Sequence, residues 1–298
     1  MNKFIIIEVG STNTKPYLVE GDNITELPIK PIHFKDNYRK SGKILTSDKQ
    51  ELFDLVEKLR TITPNIFVYG TSIFRNLSNK ECAAWLKEFK TATGLSFETV
   101  TADMENDYTV HGVTSGINYS GRLAVMIGGG GSTELAIIEN GQTVETINHG
   151  FGAGDITHAF PDLAGDRATS SFDQVLDHAK GLASPPQSQA DLLVLAGGDY
   201  LMFYETLGYP LVRNSFYTDQ KQPFQIDAAT MHACDQDFFY KTSLNDVIER
   251  AGNEQWWRGT RGMRICVKTI VDLLDAKHII PSRISMVYGI ARDIGNRK

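Results

Sequence analysis

The chain has 298 residues, 41% hydrophobic and 22% charged, the composition of a globular protein rather than a disordered or fibrous one. A formal net charge of −6 excludes a general nucleic-acid or membrane-surface binder, which needs a basic face. The three cysteines, Cys82, Cys234 and Cys266, are odd in number and widely spaced, which excludes a disulfide framework and a CxxC metal site and points to a reducing cytoplasm.

At about 100–200 residues per domain, this length predicts two domains. The apolar run from Phe4 is cut by Glu8, too short for a secretion signal, and no segment approaches the roughly 18 apolar residues of a membrane span. Residues 4–9 predict a buried strand, followed by the turn Gly10-Ser11-Thr12-Asn13 and a second strand across Lys15 to Glu20. Gly21-Asp22-Asn23 reverses the chain into a third strand over 24–29. Ser47-Asp48-Lys49-Gln50 reads as a capping box for a helix bearing Leu52, Leu55, Val56 and Leu59. Ile66 to Tyr69 predicts a strand. Ser78-Asn79-Lys80-Glu81 is a second capping box, opening a helix that ends at Gly94.

Residues 105–117 predict a helix and Leu123 to Ile127 a strand. That strand runs into Gly128-Gly129-Gly130-Gly131-Ser132-Thr133-Glu134, then the strand Leu135 to Glu139 and the hairpin dipeptide Asn140-Gly141. Further on come a helix from Ser171, a strand Leu192 to Ala196 ending at Gly197-Gly198-Asp199, and helices near 227–240, from Ser243 and over 263–274. A last strand is expected at 284–288, before a terminal helix. The unit of strand, Gly-Ser-Thr turn, strand, turn occurs twice, which predicts two related domains, 1–119 and 120–298, with the terminal helix packing back on the first.

Both turns set glycine beside hydroxyls at the end of a buried strand, where backbone N–H groups and side-chain hydroxyls converge on phosphate oxygens. Neither fits the dinucleotide pattern GxGxxG or the P-loop pattern. His111 reads as a satisfied or solvated histidine. No HExxH spacing exists. Trp256-Trp257 reads as a seal of a core or interface.

These residues resemble the exopolyphosphatase and guanosine pentaphosphate phosphohydrolase (Ppx/GppA) family in its short, two-domain form. Its first phosphate loop, Asp-Ile-Gly-Ser-Asn-Ser followed by a basic residue, is similar to Glu8-Val9-Gly10-Ser11-Thr12-Asn13 with Lys15. Its second, Asp-Ile-Gly-Gly-Gly-Ser-Thr-Glu-Leu, is similar to Ile127 through Leu135. Thr71-Ser72-Ile73-Phe74-Arg75, the helix start at Met104-Glu105-Asn106, Gly197-Gly198 and Tyr288-Gly289-Ile290-Ala291-Arg292-Asp293 match further segments in order.

The resemblance implies an α/β fold of two ribonuclease H-like domains of the actin/Hsp70/sugar-kinase superfamily flanking a cleft. It implies release of terminal orthophosphate from linear polyphosphate by an attacking water, with Mg²⁺ or another divalent cation. Glu105 is the matching water-orienting base. Arg75 and Lys15 bind phosphate, as do Gly10, Ser11, Thr12, Asn13, Gly129, Gly130, Gly131, Ser132 and Thr133. Glu134 has a catalytic role, and Glu8 and Glu134 hold the metal. Expected partners are polyphosphate or a guanosine polyphosphate, with a second copy of the chain as a candidate and neither DNA nor membrane. Glu8 stands where the family has aspartate, Ile127 where it has the second aspartate, and Asp199 where it has threonine. The alternatives are a guanosine pentaphosphate phosphohydrolase, a catalytically weakened polyphosphate or alarmone sensor, and a small-molecule kinase of the same fold.

Overall fold

The β-branched run at residues 5–7 becomes strand β1 (Lys3–Val9), whose side chains alternate between two cores. Ile5, Ile7 and Val9 join one core and Phe4 and Ile6 the other. The computed structural model describes residues 3–10, 13–217 and 222–296, and divides the chain into two compact units, Met1–Tyr108 with Met286–Lys298, and Thr109–Ser285.

In the first unit β1 pairs antiparallel with β2 (Asn13–Glu20), and β2 with β3 (Asn23–Glu26) and the short β4 (Lys30–Pro31). Of the strand expected over 24–29 only the first half forms, within β3, and β4 lies beyond it, after Leu27-Pro28-Ile29. Next come α1 (Phe34–Ser41), α2 (Thr46–Arg60), β5 (Ile66–Gly70), a 3-10 turn (Ser72–Asn76), α3 (Asn79–Thr93), β6 (Phe97–Thr99) and α4 (Ala102–Thr114). Strands β5 and β6 extend the sheet in parallel, giving the order β3-β2-β1-β5-β6.

The Ser78 capping box forms as expected: Glu81 N–H donates to the Ser78 hydroxyl and Ser78 N–H to the Glu81 carboxylate, while Gly94 closes α3 at φ 69°. The Ser47 box does not form. Helix α2 starts earlier, with Leu45 at the cap and no side-chain cap, so Ser47 lies inside the first turn and the Gln50 amide donates instead to Asp54 at 2.7 Å.

The second unit repeats the pattern. Strands β7 (Leu123–Gly128), β8 (Thr133–Glu139) and β9 (Gln142–Asn148) form an antiparallel meander, with Asn140 and Gly141 both at positive φ in the second turn. They are followed by α5 (Ala153–Ala159), α6 (Phe172–Leu182), β10 (Leu192–Ala196), α7 (Tyr200–Thr206), β11 (Val212–Arg213), β12 (Phe224–Asp227), α8 (Ala228–Lys241), α9 (Leu244–Ala251), α10 (Glu254–Arg258), α11 (Thr260–Leu274) and β13 (His278–Pro281). Within the order β11-β12-β13-β10-β7-β8-β9, the run β9-β8-β7-β10-β13 has the same antiparallel and parallel senses as β3-β2-β1-β5-β6. Both units therefore carry one mixed α/β arrangement, with the strand order expected of a ribonuclease H-like domain.

The chain then returns to the first unit as α12 (Met286–Asn296). No strand forms at 284–288. Met286, Val287, Ile290, Ala291 and Ile294 instead share a helical stripe that buries against Phe4, Ile6 and Tyr69. At Gly289 an added Cβ would lie 2.1 Å from the Tyr108 carbonyl oxygen, so α12 lies directly on α4. Among the described residues no helix is long and apolar enough to cross a membrane.

The second unit's core holds charge. Arg264 of α11 makes a bidentate pair with Asp235 at 2.7 and 2.9 Å, Tyr209 donates to the same carboxylate at 2.8 Å, and both charged groups are buried. Trp257 is buried in this core, as expected of a sealing residue. Asp235→Ala strands a buried guanidinium and should cost about 3–5 kcal/mol in urea unfolding. Replacing Arg264 as well by methionine should recover much of that loss.

Candidate phosphate-binding turns and an arginine–glutamate pair

The hairpin between β7 and β8 is closed by Gly129 N–H donating to the Ser132 carbonyl at 2.9 Å. The Gly129 carbonyl does not answer it. That oxygen accepts from Ala153 N–H at 3.0 Å, and the Gly130 carbonyl accepts from Gly154 N–H at 2.7 Å, so the first turn of α5 holds both carbonyls. The N–H groups of Gly130, Gly131 and Ser132 meet no acceptor among the described residues. Gly130 and Gly131 are exposed, and a Cβ on either would meet nothing within 4 Å. Consecutive open N–H groups with their carbonyls withdrawn form a concavity suited to an anion.

Beneath the turn the packing is close. A Cβ at Gly128 would fall 2.5 Å from the Tyr200 hydroxyl oxygen, and one at Gly152 would fall 2.4 Å from the Gly129 carbonyl oxygen. Thr133 is fully buried, against the Cys266 thiol, so it supports the turn from below. Burial pushes that thiol up to about 12, which makes Cys266 a packing group and not a nucleophile. Glu134 is half-buried and stands across the ladder from Ile127. Gly197, at φ +76°, brings its backbone against Ile127, where a Cβ would lie 3.0 Å from Ile127 Cγ2.

In the first unit Gly10 N–H donates to the Asn13 carbonyl at 3.0 Å, the counterpart of the Gly129–Ser132 bond. Ser11 and Thr12 lie outside the described residues. The register corrects the repeat as read from Gly-Ser-Thr: Gly10 corresponds to Gly129 and Asn13 to Ser132, so Glu8 corresponds to Ile127 and Lys15 to Glu134. Glu8 and Lys15 face each other across β1 and β2 on one side of the sheet. The second unit has an apolar residue and a carboxylate in those two places.

Arg75, in the 3-10 turn after β5, donates from Nη1 to Glu105 Oε2 at 2.8 Å. Glu105 sits in the first turn of α4, where the Thr101 hydroxyl accepts from Met104 N–H and the helix dipole favours a carboxylate. With 27% and 32% of their side chains exposed, the pair contributes at most about 1 kcal/mol to stability, so its effect is to fix orientation. Arg75 and Glu105 are thus brought together.

The model of the Ppx/GppA phosphatase family matches residues 32–179. The chain carries a domain of the Ppx/GppA phosphatase family over those residues. Two solved structures share its fold at low identity. A Ppx/GppA phosphatase of Aquifex aeolicus, type II variant, is 15% identical at TM-score 0.75, over 97% of this chain and 98% of its own. An exopolyphosphatase of Cytophaga hutchinsonii is 15% identical at TM-score 0.70, over 98% of this chain and 97% of its own. No curated protein sequence matches the chain.

In this chain, sequence reasoning missed α5 and the part of Ala153 and Gly154 in facing the turn. The visible signal was the run Gly150-Phe151-Gly152-Ala153-Gly154 just after the second meander. Gly130→Ala and Gly131→Ala should leave thermal stability unchanged, since the protein leaves that space open. Each methyl would stand in the anion's approach and should weaken tripolyphosphate binding about ten-fold or more by calorimetry.

Proposed function

We propose that the protein releases orthophosphate from the end of linear polyphosphate by attack of a water. The open N–H groups of Gly130, Gly131 and Ser132 carry this reading, because they offer donors to phosphate oxygens while α5 withdraws the carbonyls that would repel them. Phosphoryl transfer needs charge held on equatorial oxygens and a water placed in line, with little covalent work by the protein. Glu105 orients the water and takes its proton. Arg75 fixes that carboxylate through Nη1 and directs its other N–H donors to phosphate. Lys15 and the turn from Gly10 to Asn13 bind further phosphate oxygens.

Among the described residues no group of three or more histidine, cysteine or acidic side chains forms a metal cage. Glu8 and Glu134 are single hard oxygen donors, which suits Mg²⁺, an ion that takes one or two carboxylates together with substrate phosphates and waters. Either carboxylate would hold the ion through such waters. When bound, the ion neutralises charge on the phosphate chain.

A second reading, a sensor that binds polyphosphate or a guanosine polyphosphate without turnover, is favoured by Ile127. The place that holds Glu8 in the first unit is apolar in the second and is packed on Gly197. Phosphate release should be measured on polyphosphate, guanosine pentaphosphate and ATP, with and without Mg²⁺. The hydrolase reading expects release from polyphosphate, lowered about 10²–10⁴-fold in Glu105→Gln. Tight binding with no release from any of the three selects the sensor, and release that survives Glu105→Gln removes Glu105 from the mechanism.

A further inference from the structure

The second glycine turn faces its ligand only while α5 holds the Gly129 and Gly130 carbonyls, which raises the question of what holds α5. It is a short helix, Ala153–Ala159, containing one glycine and two β-branched residues, so it has little intrinsic helical stability. Its first turn lies against α11 at Gly262. A Cβ there would fall 2.5 Å from the Ala153 carbonyl oxygen and 2.7 Å from Thr157 Oγ1, which itself donates to the same carbonyl at 2.7 Å. Those distances are below any ordinary Cβ contact, so one of the two helices would have to move.

Helix α11 is the one that cannot. Arg261, fully buried beside Gly262, donates to the carbonyls of Leu163, Gly165, Asp166 and Thr242 at 2.8–3.1 Å. One turn on, Arg264 is tied to Asp235. Breaking either set strands buried charge or buried carbonyls, whereas a shift confined to the start of α5 costs its two bonds to the turn and the Gly152–Asp155 cap bond, at groups that are not charged and buried. A side chain at position 262 is therefore relieved by displacing α5, which draws Ala153 N–H and Gly154 N–H off the turn.

Resting on the reading of residues 129–132 as a phosphate-binding turn, we infer that Gly262 is a positioning residue for that turn, acting through α5. It touches no candidate ligand. Its bareness lets α11 press the start of α5 onto the turn, and the freed carbonyls of Gly129 and Gly130 would otherwise swing toward the anion and repel it.

The experiment compares the full-length wild type with Gly262→Ala, Gly154→Ala and Gly131→Ala, measuring tripolyphosphate affinity by calorimetry, kcat on polyphosphate at saturation, and Tm. Gly154→Ala strikes the same contact from the other side, its Cβ falling 2.6 Å from the Gly130 carbonyl oxygen. The expected result for Gly262→Ala is affinity weakened about ten-fold or more, as for loss of a hydrogen bond to a charged group, with kcat at saturation within a few-fold of wild type. A merely structural glycine would lower Tm and leave affinity alone. Weakened binding in Gly131→Ala with unchanged binding in a folded Gly262→Ala overturns this inference and leaves the turn's role standing. Unchanged binding in all three variants overturns the reading of the turn itself. If Gly262→Ala does not fold, Gly154→Ala decides the matter, and unchanged affinity there overturns the inference equally.

Discussion

Two hydrogen bonds, from Ala153 to the Gly129 carbonyl and from Gly154 to the Gly130 carbonyl, decide which way the second glycine turn presents itself. A peptide unit carries a donor and an acceptor on opposite sides, so fixing the acceptor inward turns the donor outward. In an ordinary tight hairpin the first carbonyl would be spent on the amide three residues on. Here that amide, of Ser132, stays open together with those of Gly130 and Gly131. Much of the second unit bears on this arrangement: α5 supplies the donors, α11 presses α5 into place, and the buried arginines of α11 keep it from yielding.

The two units are related by topology but not by charge. In the first, β1 and β2 set Glu8 opposite Lys15 just before the turn, an acid facing a base. In the second the same places hold Ile127 and Glu134. The first unit therefore has a cation beside its turn, and the second has open backbone amides and one carboxylate beside its own. Ile127 is also part of a steric arrangement, since Gly197 adopts positive φ and approaches its side chain with no Cβ between them. An aspartate introduced at 127 would lose that packing as well as gain a charge.

Much of this was legible in the sequence where a local rule fixed it. The Ser78–Glu81 box, the Asn140-Gly141 turn and the recurring strand–glycine–strand unit each rest on interactions within a few residues, and each appears in the structure. What was misread depended on partners distant in the chain. The run at 284–291 has an apolar pattern compatible with strand or helix, and the sheet face of Phe4, Ile6 and Tyr69 resolves it as helix. Helix α5 has poor intrinsic propensity and exists through its contacts with α11 and the turn. Of the candidate site residues, Arg75 and Glu105 are 30 positions apart, and only the fold shows that they form one ion pair.

The most direct test of the account is to follow the backbone amide signals of the ¹⁵N-labelled protein while tripolyphosphate is added. Gly130, Gly131 and Ser132 should shift together, saturably and toward stronger hydrogen bonding, while the Gly129 amide, already bonded to Ser132, moves little. Saturable binding that leaves those three amides unchanged would contradict it.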